Sequence, residues 1–306
     1  MSQNLPFTKE NFPRDKRILS PTSDVVFKAL FGKGKERITK AFLEDILKFK
    51  IDNLELDKNQ ELVDDKLENK TGRLDIRATI NGNVECNIEM QLTTHDKLFE
   101  RFLYYWSKIY ASSLKKGESY KNLRKTICII IVNDTINEFK EIAKSHTIWQ
   151  IREEEYHSKI LTPYLQFDIL ELPKAIKEYQ NNKDDEVLQW LMFLDNPENT
   201  EVAKIMEENK DIKVAKEELD QMSKDDVLWW LSLREELARM DHEQLMYESK
   251  REGIAEGKAE GKAEGKAEGR KENSLEIAKK MLKKNIPLEE IIEITGLTKE
   301  EILKAK

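Results

Sequence analysis

Apolar and polar side chains alternate strictly along two short runs. Leu74, Ile76, Ala78 and Ile80 alternate with Asp75, Arg77 and Thr79, and Val84, Cys86, Ile88 and Met90 alternate with Glu85, Asn87, Glu89 and Gln91. Period two predicts two half-buried strands, each with one apolar and one polar face. If Asn81, Gly82 and Asn83 form a three-residue loop, Ile80 pairs with Val84, and the register continues to Asp75 opposite Glu89 and Arg73 opposite Gln91. A two-residue loop would break the agreement between the faces.

Helical spacing marks the flanks of this hairpin. Val26, Phe27, Leu30 and Phe31 recur at three- and four-residue steps behind a cap at Thr22 or Ser23, and Gly32 with Gly34 separates them from a second amphipathic helix, from about Glu36 to Leu47. LELDKNQELVDD reads as one strand and a loop. After the hairpin, Leu98, Phe102, Tyr105, Ile109 and Ser112 define a long helix that Thr94 or Asp96 begins and Gly117 ends. KTICIIIVND is a continuous apolar run, the pattern of a strand buried on both faces, and YLQFDILELPK is a weaker strand. From about Asp184 to Lys250 the pattern is helical, with Trp190, Trp229 and Trp230 as packing anchors.

The tail opens with EGIAEGKAEGKAEGKAEGR, a repeat of period four. On a helix this period stacks Glu256, Glu260, Glu264 and Glu268 in one row and Lys258, Lys262 and Lys266 in another, and like charges at that spacing repel. Each glycine costs about 1 kcal/mol of helix propensity relative to alanine. The expectation is a mobile or frayed linker in preference to a self-associating stalk. Residues 273–306 read as three short helices, with Pro287 starting the second and Thr298 with Glu301 forming a capping box on the third. This text resembles a helix-turn-helix, yet Glu300 and Glu301 would bring negative charge to the DNA. A helical docking or dimerisation tail is the favoured expectation. The organisation expected is a domain over 1–175, a helical region over 176–249, a repeat over 250–272 and a tail over 273–306.

Composition narrows the choice of function. Charged residues make up 36% of the 306-residue chain and the net charge is −7, which argues against a general polyanion binder. Any nucleic-acid role must rest on a local site. No stretch is long and apolar enough to span a bilayer, and MSQNLPFTKENFPRDKR lacks the apolar run of a secretory signal, so a cytoplasmic protein is expected. Cys86 and Cys128 lack zinc spacing and read as small core side chains. His95, His146, His157 and His242 do not pair at metal spacing.

The hairpin carries the candidate chemistry. In the expected register the Cβ atoms of Asp75 and Glu89 approach to about 5.5 Å, and like charges across a ladder destabilise it. Two readings stay open: solvated charges kept apart by Arg73 and Arg77, or a divalent cation between the carboxylates. Oxygen ligands without nearby His or Cys suit Mg2+ or Mn2+.

The order of parts resembles the core of the PD-(D/E)XK nucleases, and within them the Rpn group of recombination-promoting nucleases and putative transposases. The carrying motifs are SDVVFKALFG (23–32), GRLDIRA (72–78), NIEMQ (87–91), ERFLYYWSKIY (100–110) and KKGESY (115–120), within a span of about 20–172. The resemblance implies an α/β fold, a central mixed sheet flanked by helices, followed by an all-helical C-terminal region. It implies a Mg2+- or Mn2+-dependent DNA endonuclease linked to recombination, transposition or defence against mobile DNA. Asp75 and Glu89 become metal ligands, joined by the Met90 backbone carbonyl and helped by Asp24. Gln91 stands where the superfamily has lysine, and Leu74 where it has proline. An amide cannot supply a lysine's charge, so Arg73 or Arg101 is expected to supply it. Arg77, Tyr104 and Tyr105 are candidate DNA contacts, although both tyrosines also suit core packing. The alternatives are a nuclease fold retained as a DNA-binding or assembly module with weak catalysis, and a helix-turn-helix regulator. Cutting both duplex strands would favour a homodimer, with the tail as its candidate interface.

Overall fold

Val26, Phe27, Leu30 and Phe31 are fully buried along one side of the first helix, α1 (Asp24–Phe31), as their spacing requires. Gly32 follows because a Cβ there would run into the Lys28 carbonyl, and Gly34 turns the chain at positive φ into α2 (Glu36–Leu47). The computed structural model describes residues 18–57, 61–62, 72–73, 75–94 and 97–304. Leu74, His95 and Asp96 lie outside the described residues, as do the side chains of residues 61–62 and 72–73. The chain forms two units, Met1–Glu236 and Leu237–Lys306.

In the first unit, β1 (Leu54–Leu56) is followed by β2 (Glu61–Leu62), β3 (Gly72–Arg73), β4 (Ile76–Ile80) and β5 (Val84–Gln91). The β4–β5 hairpin forms in the expected register, with Ile80 opposite Val84 and Ile76 opposite Ile88. Asn81 and Gly82 take positive φ in its loop, and the Asn81 side chain accepts hydrogen bonds from the Asp52 and Asn53 amides. The register stops at Ile76. Arg73 lies in β3, which pairs with β2 opposite Glu61, so the expected pairing of Arg73 with Gln91 does not form. A bend at Asp75 takes the chain out of the ladder.

The helix α3 (Leu98–Ser112) buries Leu98, Phe102 and Ile109. It ends before Gly117, at a turn where Ser112 and Ser113 donate their hydroxyls to the carbonyls of Ile109 and Tyr110. The apolar run forms β6 (Lys125–Val132), followed by β7 (His146–Trp149) and β8 (Leu165–Glu171). Among the described residues the main sheet has the order β1-β4-β5-β6-β8-β7, with β5, β6 and β8 parallel and the outer pairings antiparallel. This is a mixed sheet flanked by helices, the architecture implied by the resemblance.

Among the described residues α4 (Leu172–Tyr179), α5 (Glu186–Asp195), α6 (Thr200–Glu208) and α7 (Lys210–Met222) follow in this unit. Their apolar faces join α1, α2 and the inward side of the sheet in one core. Residues 187–219, set apart above as a helical region, therefore share the core of the sheet. Trp190 is fully buried there, against Phe31, Phe42 and Phe193, and donates its indole N–H to Asp45. On the opposite face, Leu98 and Phe102 of α3 cover Ile130, Val132 and Ile169.

The repeat is helical within α8 (Asp226–Lys283), with its residues exposed, and is not frayed coil. Once a turn exists each further residue adds a hydrogen bond, so propagation from flanking helical turns outweighs the scattered glycines. In the second unit, α9 (Leu288–Thr295) and α10 (Lys299–Lys304) pack with the end of α8 around Ala278, Ile291, Leu297 and Ile302. The capping box forms as expected: the Thr298 amide donates to Glu301 and the Glu301 amide donates to the Thr298 hydroxyl. Lys271 also pairs with Glu301 at 2.7 Å, so of the two acidic residues only Glu300 stands fully exposed. Among the described residues no helix is long and apolar enough to cross a membrane.

Candidate active site

Strand alternation divides β5 between the two sides of the sheet. Cys86, Ile88 and Met90 enter the core beneath α1 and α2, while Glu85, Asn87, Glu89 and Gln91 point toward α3. Glu89 is 3% exposed, and the Asn87 amide donates to its Oε1 at 2.9 Å. Asp75 is 6% exposed at the bend before β4, and its Oδ2 accepts the Met90 amide at 2.8 Å. The bend thus replaces a ladder bond with a side-chain bond and sets the carboxylate at the end of β5.

These two carboxylates are electrostatically coupled. Burial pushes the Asp75 carboxyl up to about 6, against the pull of Lys28, with the charge of Asp24 adding to the rise. Burial, then repulsion from Asp75, pushes Glu89 up to about 8. Both groups are therefore poorly solvated oxygen donors that a nearby cation would stabilise in ionised form.

A cation already touches one of them. Lys28 Nζ lies 3.0 Å from Asp75 Oδ1 and 2.6 Å from Asp24 Oδ1. Burial works against its charge, but Asp75 and Asp24 outweigh that and hold the ammonium above its usual range. Asp24 is thus linked to Asp75 through Lys28. Sequence reasoning missed Lys28, although it stands four residues after Asp24 within the quoted motif SDVVFKALFG. It also missed Glu235 of α8, whose carboxylate accepts the Ser23 hydroxyl and the amides of Asp24 and Val25, capping α1.

Gln91 bridges the site to α3. Its Nε2 donates to the Met90 carbonyl at 2.9 Å, and its Oε1 accepts from Arg101 Nη2 at 2.5 Å. The Arg101 charge also acts on Glu89 and on Tyr105, so the structure brings Arg101 and Tyr105 to the carboxylates. Tyr105 packs against Phe102, and Tyr104 lies on the surface with Lys108 over its ring. Arg77, a candidate DNA contact, pairs with Glu85 at 3.2 Å and Asp57 at 3.3 Å. Glu85 is buried and attracts Arg124 as well, so its charge holds the Arg77 guanidinium inside the fold. His146 binds Asp168, which is in register with Ile129 and so lies on the face away from Glu89.

Among the described residues no group of three or more His, Cys, Asp or Glu side chains is arranged to hold a metal ion. The donor chemistry nonetheless fits a hard cation. Asp75, Glu89 and the Met90 carbonyl present only oxygen, the Asn87 Oδ1 is buried beside them without a hydrogen-bond partner, and an ammonium already takes up the cationic role on Asp75. The Met90 carbonyl keeps a second lone pair beyond the one that Gln91 engages.

The sequence model of a family described as PD-(D/E)XK nuclease family transposase matches residues 21–249. A second, described as the C-terminal helix-turn-helix domain of the Rpn/YhgA-like nuclease family, matches residues 271–306. Searches of curated proteins and of solved structures gave no match.

Proposed function

The chain belongs to the PD-(D/E)XK nuclease transposase family, and from that premise we propose that it hydrolyses DNA phosphodiester bonds with Mg2+ or Mn2+ held by Asp75, Glu89 and the Met90 carbonyl. The observation that carries this reading is the burial of two mutually repelling carboxylates at the end of β5, with a positive charge already drawn to one of them. Lys28 offsets that repulsion only at Asp75, whereas a divalent cation would convert it into coordination at both carboxylates.

When bound, the cation would supply Lewis-acid stabilisation of the phosphate and a more acidic attacking water. The chain's own residues do the rest. Asp75 is fixed by the Met90 amide and Glu89 by the Asn87 amide, so both carboxylates are held before substrate arrives. Gln91 is clamped between the Met90 carbonyl and Arg101, which leaves the Arg101 guanidinium as the fixed positive charge near the reacting phosphate. This role goes to Arg101 and not to Arg73, whose strand pairs elsewhere. Tyr104, exposed on α3, is a candidate contact for the substrate.

The tail is proposed to contact DNA. Its match to a helix-turn-helix domain supports this, and Lys271 offsets the negative charge of Glu301, one of the two that would oppose it. The test of the whole reading is incubation of the purified protein with supercoiled plasmid and Mg2+ or Mn2+. Nicking that EDTA and Asp75→Ala both abolish is the expected result. Undiminished nicking by Asp75→Ala would overturn the site.

A further inference from the structure

Lys28 is the side chain whose position the proposed reaction leaves unexplained. Its ammonium bridges a buried carboxylate, Asp75, and a half-exposed one, Asp24. Asp75 Oδ2 is turned to the Met90 amide, so Oδ1 is the oxygen that faces a cation, and Lys28 stands on it. We propose that Lys28 is an exchangeable cation of the active site, leaving Asp75 when a divalent ion binds and moving to a non-bridging oxygen of the substrate phosphate. This rests on the reading of Asp75 and Glu89 as ligands.

The geometry supports exchange over a fixed ion pair. A divalent ion on Asp75 Oδ1 would stand next to the ammonium, and two cations at such a separation in a poorly hydrated pocket repel strongly. The backbone beneath Lys28 is fixed: Phe27, Leu30 and Phe31 are fully buried, and Glu235 caps the helix. Motion is therefore confined to the lysine's four-carbon stem, which is flexible. Asp24, one turn earlier and 48% exposed, keeps hold of the ammonium at the solvent side as Asp75 releases it. Lys28 then opposes Arg101 across the site, and the two together provide the charge that the Gln91 amide lacks.

The test compares wild type with Lys28→Met and Lys28→Arg. Mn2+ binding to the protein without DNA is measured by calorimetry, and single-turnover cleavage is measured at saturating Mn2+. Lys28→Met is expected to bind Mn2+ about tenfold more tightly, because no ammonium has to be displaced, yet to cleave about a hundredfold more slowly with DNA affinity little changed. Lys28→Arg should recover part of the rate. Unchanged or weaker Mn2+ binding by folded Lys28→Met would overturn the exchange. Should Lys28→Met fail to fold, the Lys28 15Nζ resonance of the wild type, assigned through Lys28→Arg, decides: it must shift on Mg2+ addition, and a fixed resonance while the Asp75 carboxyl signal moves rejects the proposal. Tighter Mn2+ binding by Lys28→Met in a protein that never nicks DNA would sustain the exchange and remove the nuclease reading. Nicking with an unaltered Lys28→Met profile would do the reverse.

Discussion

Arg101 Nη2 donates to Gln91 Oε1 at 2.5 Å, and this bond turns the other end of the Gln91 amide onto the Met90 carbonyl. One guanidinium thereby orients Gln91, and its charge also acts on Glu89. Arg101→Ala should lower kcat about a hundredfold while KM stays within a few-fold, since the lost interaction acts on charge that develops during reaction. Steady-state kinetics on a short duplex will check this, and an unchanged kcat would remove Arg101 from the mechanism.

The coupled carboxylates make the metal-free protein sensitive to pH. Asp75 is raised from 3.8 to about 6 and Glu89 from 4.5 to about 8. A raised acid contributes stability that is fully present below its unfolded pKa and is lost as pH rises through the folded one. Stability in EDTA should therefore fall between about pH 4 and pH 8, and Mn2+ should restore it at the upper end. Urea midpoints at pH 5 and pH 8.5 measure this. Glu89→Gln should flatten the dependence, and an equally steep fall in that variant would contradict the assignment.

Glu235 takes the amides of Asp24 and Val25 and the Ser23 hydroxyl, an N-cap supplied from a segment more than two hundred residues away. Glu235→Ala should destabilise the first unit by about 1–2 kcal/mol, the range for losing a helix cap. Hydrogen exchange at Asp24 and Val25 should accelerate more than at the α2 amides. Equal protection in variant and wild type would show that the cap is unimportant.

Arg77 and Arg124 converge on Glu85, which is 3% exposed. Arg77→Ala is expected to lower unfolding free energy by about 1–3 kcal/mol through a weakened buried pair. DNA affinity at fixed salt should change less than about twofold. A large loss of DNA binding with unchanged denaturant midpoint would restore Arg77 to the interface.

Period-two alternation was enough to locate the hairpin, its three-residue loop and its register, because a one-residue slip would have turned Ile76 and Ile88 to the polar face. It could not locate the end of the ladder. The Asp75 side chain replaces a backbone partner for Met90, and no pattern of apolar residues announces such an exchange. Lys28 was legible in principle from its four-residue spacing to Asp24, but its bridge to Asp75 is a tertiary contact. Glu235 carried no local signal at all. In the repeat, glycine and like-charge penalties were summed residue by residue, whereas helix propagation is cooperative and α8 continues through them. At the tail, reading Glu301 as free negative charge ignored its own capping box, which the same sequence had identified.

The claim on which the account depends is that Asp75 and Glu89 grip one divalent ion together. Calorimetric titration of Mn2+ into wild type, Asp75→Asn and Glu89→Gln, each shown to be folded, tests it most directly. One site in the wild type, lost or weakened by at least tenfold in each variant, is the predicted result. Binding of equal affinity in all three proteins, or no binding in the wild type even with duplex DNA present, would contradict it.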